Sequence, residues 1–181
     1  LMAWRPSRRG GWAVMPAAMT LLAGAVGVVH LAGREQWPPA LVKALSASRQ
    51  SLWNDAMSLW SAHPVSGGGP GSLAEYSTLG GDPDTAAAHS SVLQVGAETG
   101  WVGVALFALL VLTGLLWVAR GPAPYAVVGA AALTALLVHS FVDHLLEYAP
   151  VAVAAGVAVG WAGARRSGEP DAPEGERPVP G

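Results

Sequence analysis

The chain has 181 residues, 52% of them hydrophobic and only 12% charged, with a formal net charge of −2. Soluble domains carry roughly 25% charged residues, so this composition is short of the charge a water-facing surface needs, and without a basic stripe it argues against a nucleic-acid partner. The absence of cysteine excludes a disulfide framework and a thiolate metal site.

In chain order, residues 1–12 form a basic leader containing Arg5, Arg8 and Arg9, and residues 13–32 follow without a formal charge. Twenty residues at about 1.5 Å each cross a hydrocarbon core of roughly 30 Å. Equivalent apolar runs occupy 100–119 and 124–142, and a shorter one occupies 148–164. A signal peptide suits neither the length of the first run nor the spans that follow it. With about four spans, the leader arginines, Arg120, and Arg165 with Arg166 all fall on one face, which the positive-inside rule makes cytoplasmic. Both termini are then expected in the cytoplasm of a cell with an inner membrane, and residues 33–99 outside it. In that outer segment Arg34, Lys43 and Arg49 stand against six acids. Trp12, Trp117, Tyr125 and Trp161 mark the inner ends of the spans, and Trp101 and Tyr148 the outer ends. Residues 165–181 are too polar to bury anything and are expected to be disordered. The predicted fold is all-α: a polytopic membrane protein of about four helices, with one long extracytoplasmic loop holding short amphipathic helices.

Within that loop, "SRQSLWNDAMSLWSAHP" places Arg49, Trp53, Ala56, Met57 and Trp60 at helical spacing on one face. Such a helix lies on the bilayer surface or packs on the spans. Arg49 then sits within reach of a lipid headgroup, His63 caps the end, and Pro64 stops the helix. The following "GGGPG" is no nucleotide-binding loop, because no lysine and hydroxyl residue follow its last glycine. Two readings stay open for it. One is a sharp re-entry whose amides, around Gly67, Gly69 and Gly71, meet phosphate oxygens; the other is a flexible linker. Asp84 or Thr85 is the expected cap of a helix running from Ala86 through His89, Leu93 and Glu98 into the second span, weakened by Gly96 and Gly100. In "HSFVDHLLEY", His139 and Asp143 share a helix face, with His144 and Glu147 following. Polar groups there are costly and often functional. Their spacing matches no strong metal-ligand motif, so the favoured reading is a polar turn facing the external site.

The order of these pieces carries a resemblance. An arginine before "LWNDA", then "HPVSGGGPGS", "AHSSVLQ" and "ETGWVG" leading into a hydrophobic helix together resemble the O-antigen ligase and polymerase superfamily of membrane glycosyltransferases, over about residues 45–164. The resemblance implies transfer of a glycan from an undecaprenyl-diphosphate carrier to a hydroxyl acceptor (a glycan, lipid or protein) outside the cytoplasmic membrane. It casts Arg49 as the holder of the departing diphosphate. His89 becomes the base, or a donor orienting the diphosphate. Gly67, Gly69, Gly71, Glu98, His139 and Asp143 are the implied substrate-binding residues. Neither a metal nor another cofactor is expected, since the guanidinium supplies the positive charge.

Members of the superfamily usually have ten or more spans and a further periplasmic arginine, for which this chain offers no candidate. With Leu1 ahead of Met2, the chain is expected to be the C-terminal part of a longer protein. Small residues in its third and fourth spans would pack on the missing half or on another subunit. A non-catalytic membrane subunit, a transporter fragment or an inactive remnant are the alternatives. Polar groups at span ends rather than mid-span weigh against a transporter.

Overall fold

In hydrocarbon a backbone can satisfy its amides and carbonyls only internally, and the long Ala, Leu and Val runs obey that constraint as helices. The computed structural model describes residues 8–82 and 85–164. Seven α-helices appear among them: α1 (Arg8–Ala32), α2 (Pro39–Ala44), α3 (Ala47–Ala62), α4 (Ser72–Tyr76), α5 (Ser91–Val118), α6 (Ala123–Ser140) and α7 (Ala149–Ala164). A short 3-10 turn, Leu145–Glu147, precedes α7, and no strand occurs among the described residues. Val14–Ala32, Ser91–Val118 and Ala123–Ser140 are long and apolar enough to cross a membrane. The predicted fourth span is also a helix, but the 16 residues of α7 reach only about 24 Å. Arg5, Asp84, Arg165, Arg166 and the 165–181 tail lie outside the described residues.

Helix α1 packs on α5 and α6, and α7 packs on α6 and α5. Between them lies one apolar core that includes Leu21, Leu115, Val118, Ala126, Leu137, Phe141 and Ala162. Small residues permit the close approach. A Cβ at Gly129 would meet Ala162 and Val118, and one at Gly163 would strike Trp117. Gly129 and Gly163 are thus used within the chain, while a Cβ at Gly156 or Gly160 of α7 would meet no other atom of it within 4 Å. Leu106, Leu109, Leu110, Val153 and Val157 point outward, where lipid would lie.

The segment between α1 and α5 builds a second, outer core from Trp53, Ala56, Leu59, Leu73, Ala88, Leu93 and Ala97, at the edge of the helix bundle against Ala32 at the end of α1. The predicted face of α3 is the one buried: Trp53, Ala56 and Trp60 are at most 3% exposed, with Arg49 and Met57 at its margin. Of the two sequence readings for this helix, packing on protein is the one observed. His63 is its C-cap, as expected.

The glycine loop is not a flexible linker: it is docked against the chain, and the amides of Gly67, Gly68 and Gly69 are bonded within the chain. Helix α5 is broken at Gly100, which has φ 64° and ψ −161°. The chain from Pro64 to Gly69 fills the break. Trp101 and Val102 donate their N–H groups to the carbonyls of Pro64 (2.8 Å) and Val65 (3.2 Å). In return Gly68 and Gly69 donate to the carbonyls of Ala97 (2.8 Å) and Glu98 (2.9 Å). Two amides and two carbonyls that the kink frees are thus paired again. The approach is so close that a Cβ at Gly67 would collide with the Glu98–Thr99 peptide, and one at Gly100 with the Val65 carbonyl. Gly67, Gly69 and Gly71 all have positive φ, the conformation that glycine adopts without steric cost. The Gly67 amide also donates inside the loop, to His63.

The helix predicted from Ala86 begins instead at Ser91, with Ser90 as its extended N-cap. Alanine favours helix, but Ala88 is fully buried in the outer core and its N–H is taken by the Gln94 side chain (2.8 Å). His89 at φ +48° cannot continue a right-handed helix.

Candidate functional site

Three separate elements carry chemistry-bearing side chains to one place. The first turn of α3 supplies Arg49, the connection before α5 supplies His89, and the end of α6 supplies His139, while Asp143 lies in the turn beyond Ser140, past the helix face on which the sequence placed it with His139. His89 is the one non-glycine residue with positive φ among the described residues. Such backbone strain persists only where the surroundings impose it, and it concentrates at functional sites. Here Gln94 anchors the residue before His89. Its side-chain oxygen accepts the Ala88 N–H, and its amide nitrogen donates to Glu98 Oε1 at 2.7 Å. Glu98 therefore reaches His89 through Gln94, while its carbonyl receives the glycine loop.

The His89 side chain is 16% exposed. Its Nδ1 lies 3.5 Å from Asp143 Oδ1 and 2.9 Å from Nδ1 of His144. Two imidazole nitrogens at that distance require one to donate and the other to accept. Asp143 Oδ1 accepts the backbone N–H of His144 (2.8 Å) and lies 3.0 Å from its Nδ1. The second carboxylate oxygen is 3.7 Å from Nε2 of His139, which is itself largely exposed. On the far side, His144 Nε2 meets the Tyr148 hydroxyl at 3.1 Å. Partial burial works to raise the Asp143 pKa, but it is outweighed. The His144 backbone N–H and the bond from His89, with the electrostatic influence of His144 and Arg49, together hold it below the ordinary carboxylate value. Asp143 is accordingly a standing negative charge at neutral pH, and Arg49 is close enough to act on it.

The set predicted from sequence therefore divides. His89, His139 and Asp143 come together, and the charge of Arg49 bears on Asp143. Gly67 and Gly69 dock beside Glu98, which connects through Gln94 to the peptide before His89. Tyr148 and Gln94 enter the site without having been assigned roles in it, and His144, expected only in a polar turn facing it, is a direct partner of His89. Two of these contacts had a signal in the i, i+4 spacings of Gln94 with Glu98 and of His144 with Tyr148; the His89–His144 contact, across 55 positions, had none. Among the described residues, His89, Asp143 and His144 also form a group able to hold a metal ion.

Beside this polar cluster an apolar cleft of about 400 Å³ opens between α1, α5 and the end of α6. Its lining includes Leu21, Val92, Phe107, Leu115 and Phe141. Val92 and Phe141 stand three and two positions from His89 and Asp143, so the polar and apolar regions adjoin.

A family model described as O-antigen ligase matches residues 1–108. The match includes Arg49, the glycine loop, His89 and Glu98, and stops before His139 and Asp143. No curated protein and no solved structure matches the chain.

Proposed function

The chain belongs to the O-antigen ligase family, and on that premise we propose that it carries the transfer site of a membrane glycosyltransferase that moves a glycan from an undecaprenyl-diphosphate carrier to a hydroxyl acceptor. The observation that carries this reading is the pairing of His89 with Asp143 from two elements, beside an apolar cleft.

In this reading Asp143 accepts a hydrogen bond from His89 Nδ1, which keeps that nitrogen protonated and leaves a lone pair on Nε2. Nε2 takes the proton of the acceptor hydroxyl as its oxygen attacks the anomeric carbon. A new glycosidic C–O bond forms while the carbon–oxygen bond to the diphosphate breaks. The diphosphate leaves with the bonding electrons, and Arg49 meets its growing negative charge with a fixed fork of donors. The apolar cleft takes isoprenoid next to the headgroup. Glu98, with Gln94, positions the His89 backbone, and His139 steadies the second Asp143 oxygen or the incoming diphosphate. The reaction sits at the outer face of the cytoplasmic membrane, with residues 33–99 outside and both termini inside.

Mass spectrometry of lipid-linked glycans in the native host, comparing wild type with His89→Ala, tests this. Loss of a positioned base lowers transfer by about 10²–10⁴-fold, so undecaprenyl-diphosphate glycan should accumulate while finished product disappears. An unchanged lipid pool, with the variant present in the membrane at wild-type level, would remove His89 from catalysis.

A further inference from the structure

We propose that His89, His144 and Asp143 form a reversible site for a zinc-class divalent cation, and that filling it silences the transfer site. Binding stands on geometry alone; silencing rests on the transferase reading above.

Three ligand atoms lie close together. They are His89 Nδ1, His144 Nδ1 and Asp143 Oδ1, separated by 2.9, 3.0 and 3.5 Å. A tetrahedral zinc with bonds of about 2.0–2.1 Å holds its ligand atoms about 3.3 Å apart, so the two shorter edges need open by only a few tenths of an ångström. Two imidazoles with one carboxylate favour zinc and its neighbours over magnesium or calcium, which prefer an all-oxygen set. Supporting contacts are already in place. Tyr148 holds the other nitrogen of His144 (3.1 Å), and the His144 N–H holds Asp143 Oδ1 (2.8 Å), the kind of outer contact that fixes a metal ligand's orientation. The three side chains are 16%, 24% and 30% exposed, which gives an ion a way in. Three protein ligands leave a fourth position open. Arg49 acts on the same carboxylate, and its positive charge opposes a dication. Occupancy is therefore set by free metal and does not lock the fold.

Silencing follows from the tautomer. A cation on His89 Nδ1 displaces the proton there, and the neutral ring then carries its proton on Nε2. Nε2 becomes a donor and can no longer accept the proton of the acceptor hydroxyl. Metal binding and base catalysis exclude each other at this residue.

The test begins with purified full chain in detergent, stripped with EDTA and dialysed against zinc chloride. About one zinc per chain is expected, with X-ray absorption at the zinc edge showing two imidazole nitrogens. His144→Phe and Asp143→Asn should each lower occupancy at fixed free zinc at least ten-fold. Tyr148→Phe, which leaves every ligand in place, should weaken binding about ten-fold. Occupancy that is equal in all variants, or a spectrum with fewer than two imidazoles, would overturn the site. In native-host membranes, transfer should fall in step with zinc occupancy and return with EDTA. Transfer unchanged or raised at full occupancy would overturn silencing while leaving the site. No transfer from metal-free membranes would overturn the transferase reading and silencing with it, and the dialysis result would stand by itself.

Discussion

Arg49 and His89 have different tasks in the proposed reaction, and substitution separates them. Arg49 contributes a planar fork that meets two phosphate oxygens at once, whereas a lysine contributes one point charge. Arg49→Lys should therefore retain transfer but raise the KM for the lipid-linked donor about 10- to 100-fold, the range for a lost charge-assisted hydrogen bond. Steady-state kinetics against donor concentration checks this; an unchanged KM would assign Arg49 to the fold. Much of this chemistry is legible in the residues themselves. An arginine on an amphipathic helix, a histidine ahead of a span, and His139 four positions before Asp143 each point to the outer site. What cannot be read locally is their meeting. His89 and His144 touch across 55 positions, and no periodicity encodes that distance. The left-handed backbone at His89 is equally hidden, because the preceding alanines argue for helix and only tertiary packing overrules them.

At the scale of elements, glycine content divides into positions that matter and positions that do not. Gly96 lies under the Trp60 ring and Gly100 against the Val65 carbonyl, while no atom lies within 4 Å of a Cβ placed at Gly27. Gly96→Ala overpacks a filled contact and should cost about 1–3 kcal/mol. Gly100→Ala adds left-handed strain to a collision and should cost at least about the same. Gly27→Ala, in the middle of α1, should be neutral or stabilising by up to about 1 kcal/mol. Denaturant titration in detergent, followed by circular dichroism, orders the three. The sequence marks both Gly96 and Gly100 as weak points in a helix, but only Gly100 breaks it. At Gly96 the missing side chain makes room for an indole, so the helix runs on.

For the whole molecule, the spans behave as their composition demands. Thr113 and Thr134, inside α5 and α6, return their hydroxyls to the carbonyls of Leu109 (2.8 Å) and Ala130 (2.7 Å), so neither presents an unsatisfied group to hydrocarbon. The strongest polar cluster sits beyond the end of α6. Because the chain has no cysteine, introduced ones report topology without background. Ser61→Cys, in the exposed last turn of α3, should react with a membrane-impermeant maleimide added to intact cells. Pro124→Cys, exposed at the start of α6, should react only after the membrane is opened. The opposite pattern would invert the proposed orientation.

The plug of residues 64–69 in the break at Gly100 also limits how this protein can be recombined with others. Each strand of that exchange closes hydrogen bonds that the other leaves open, so neither is correct by itself. A hybrid that takes the outer segment from one homologue and the following helix from another would mismatch both. Residues 64–69 and 97–102 must be inherited as a single cassette, although 27 positions of chain lie between them.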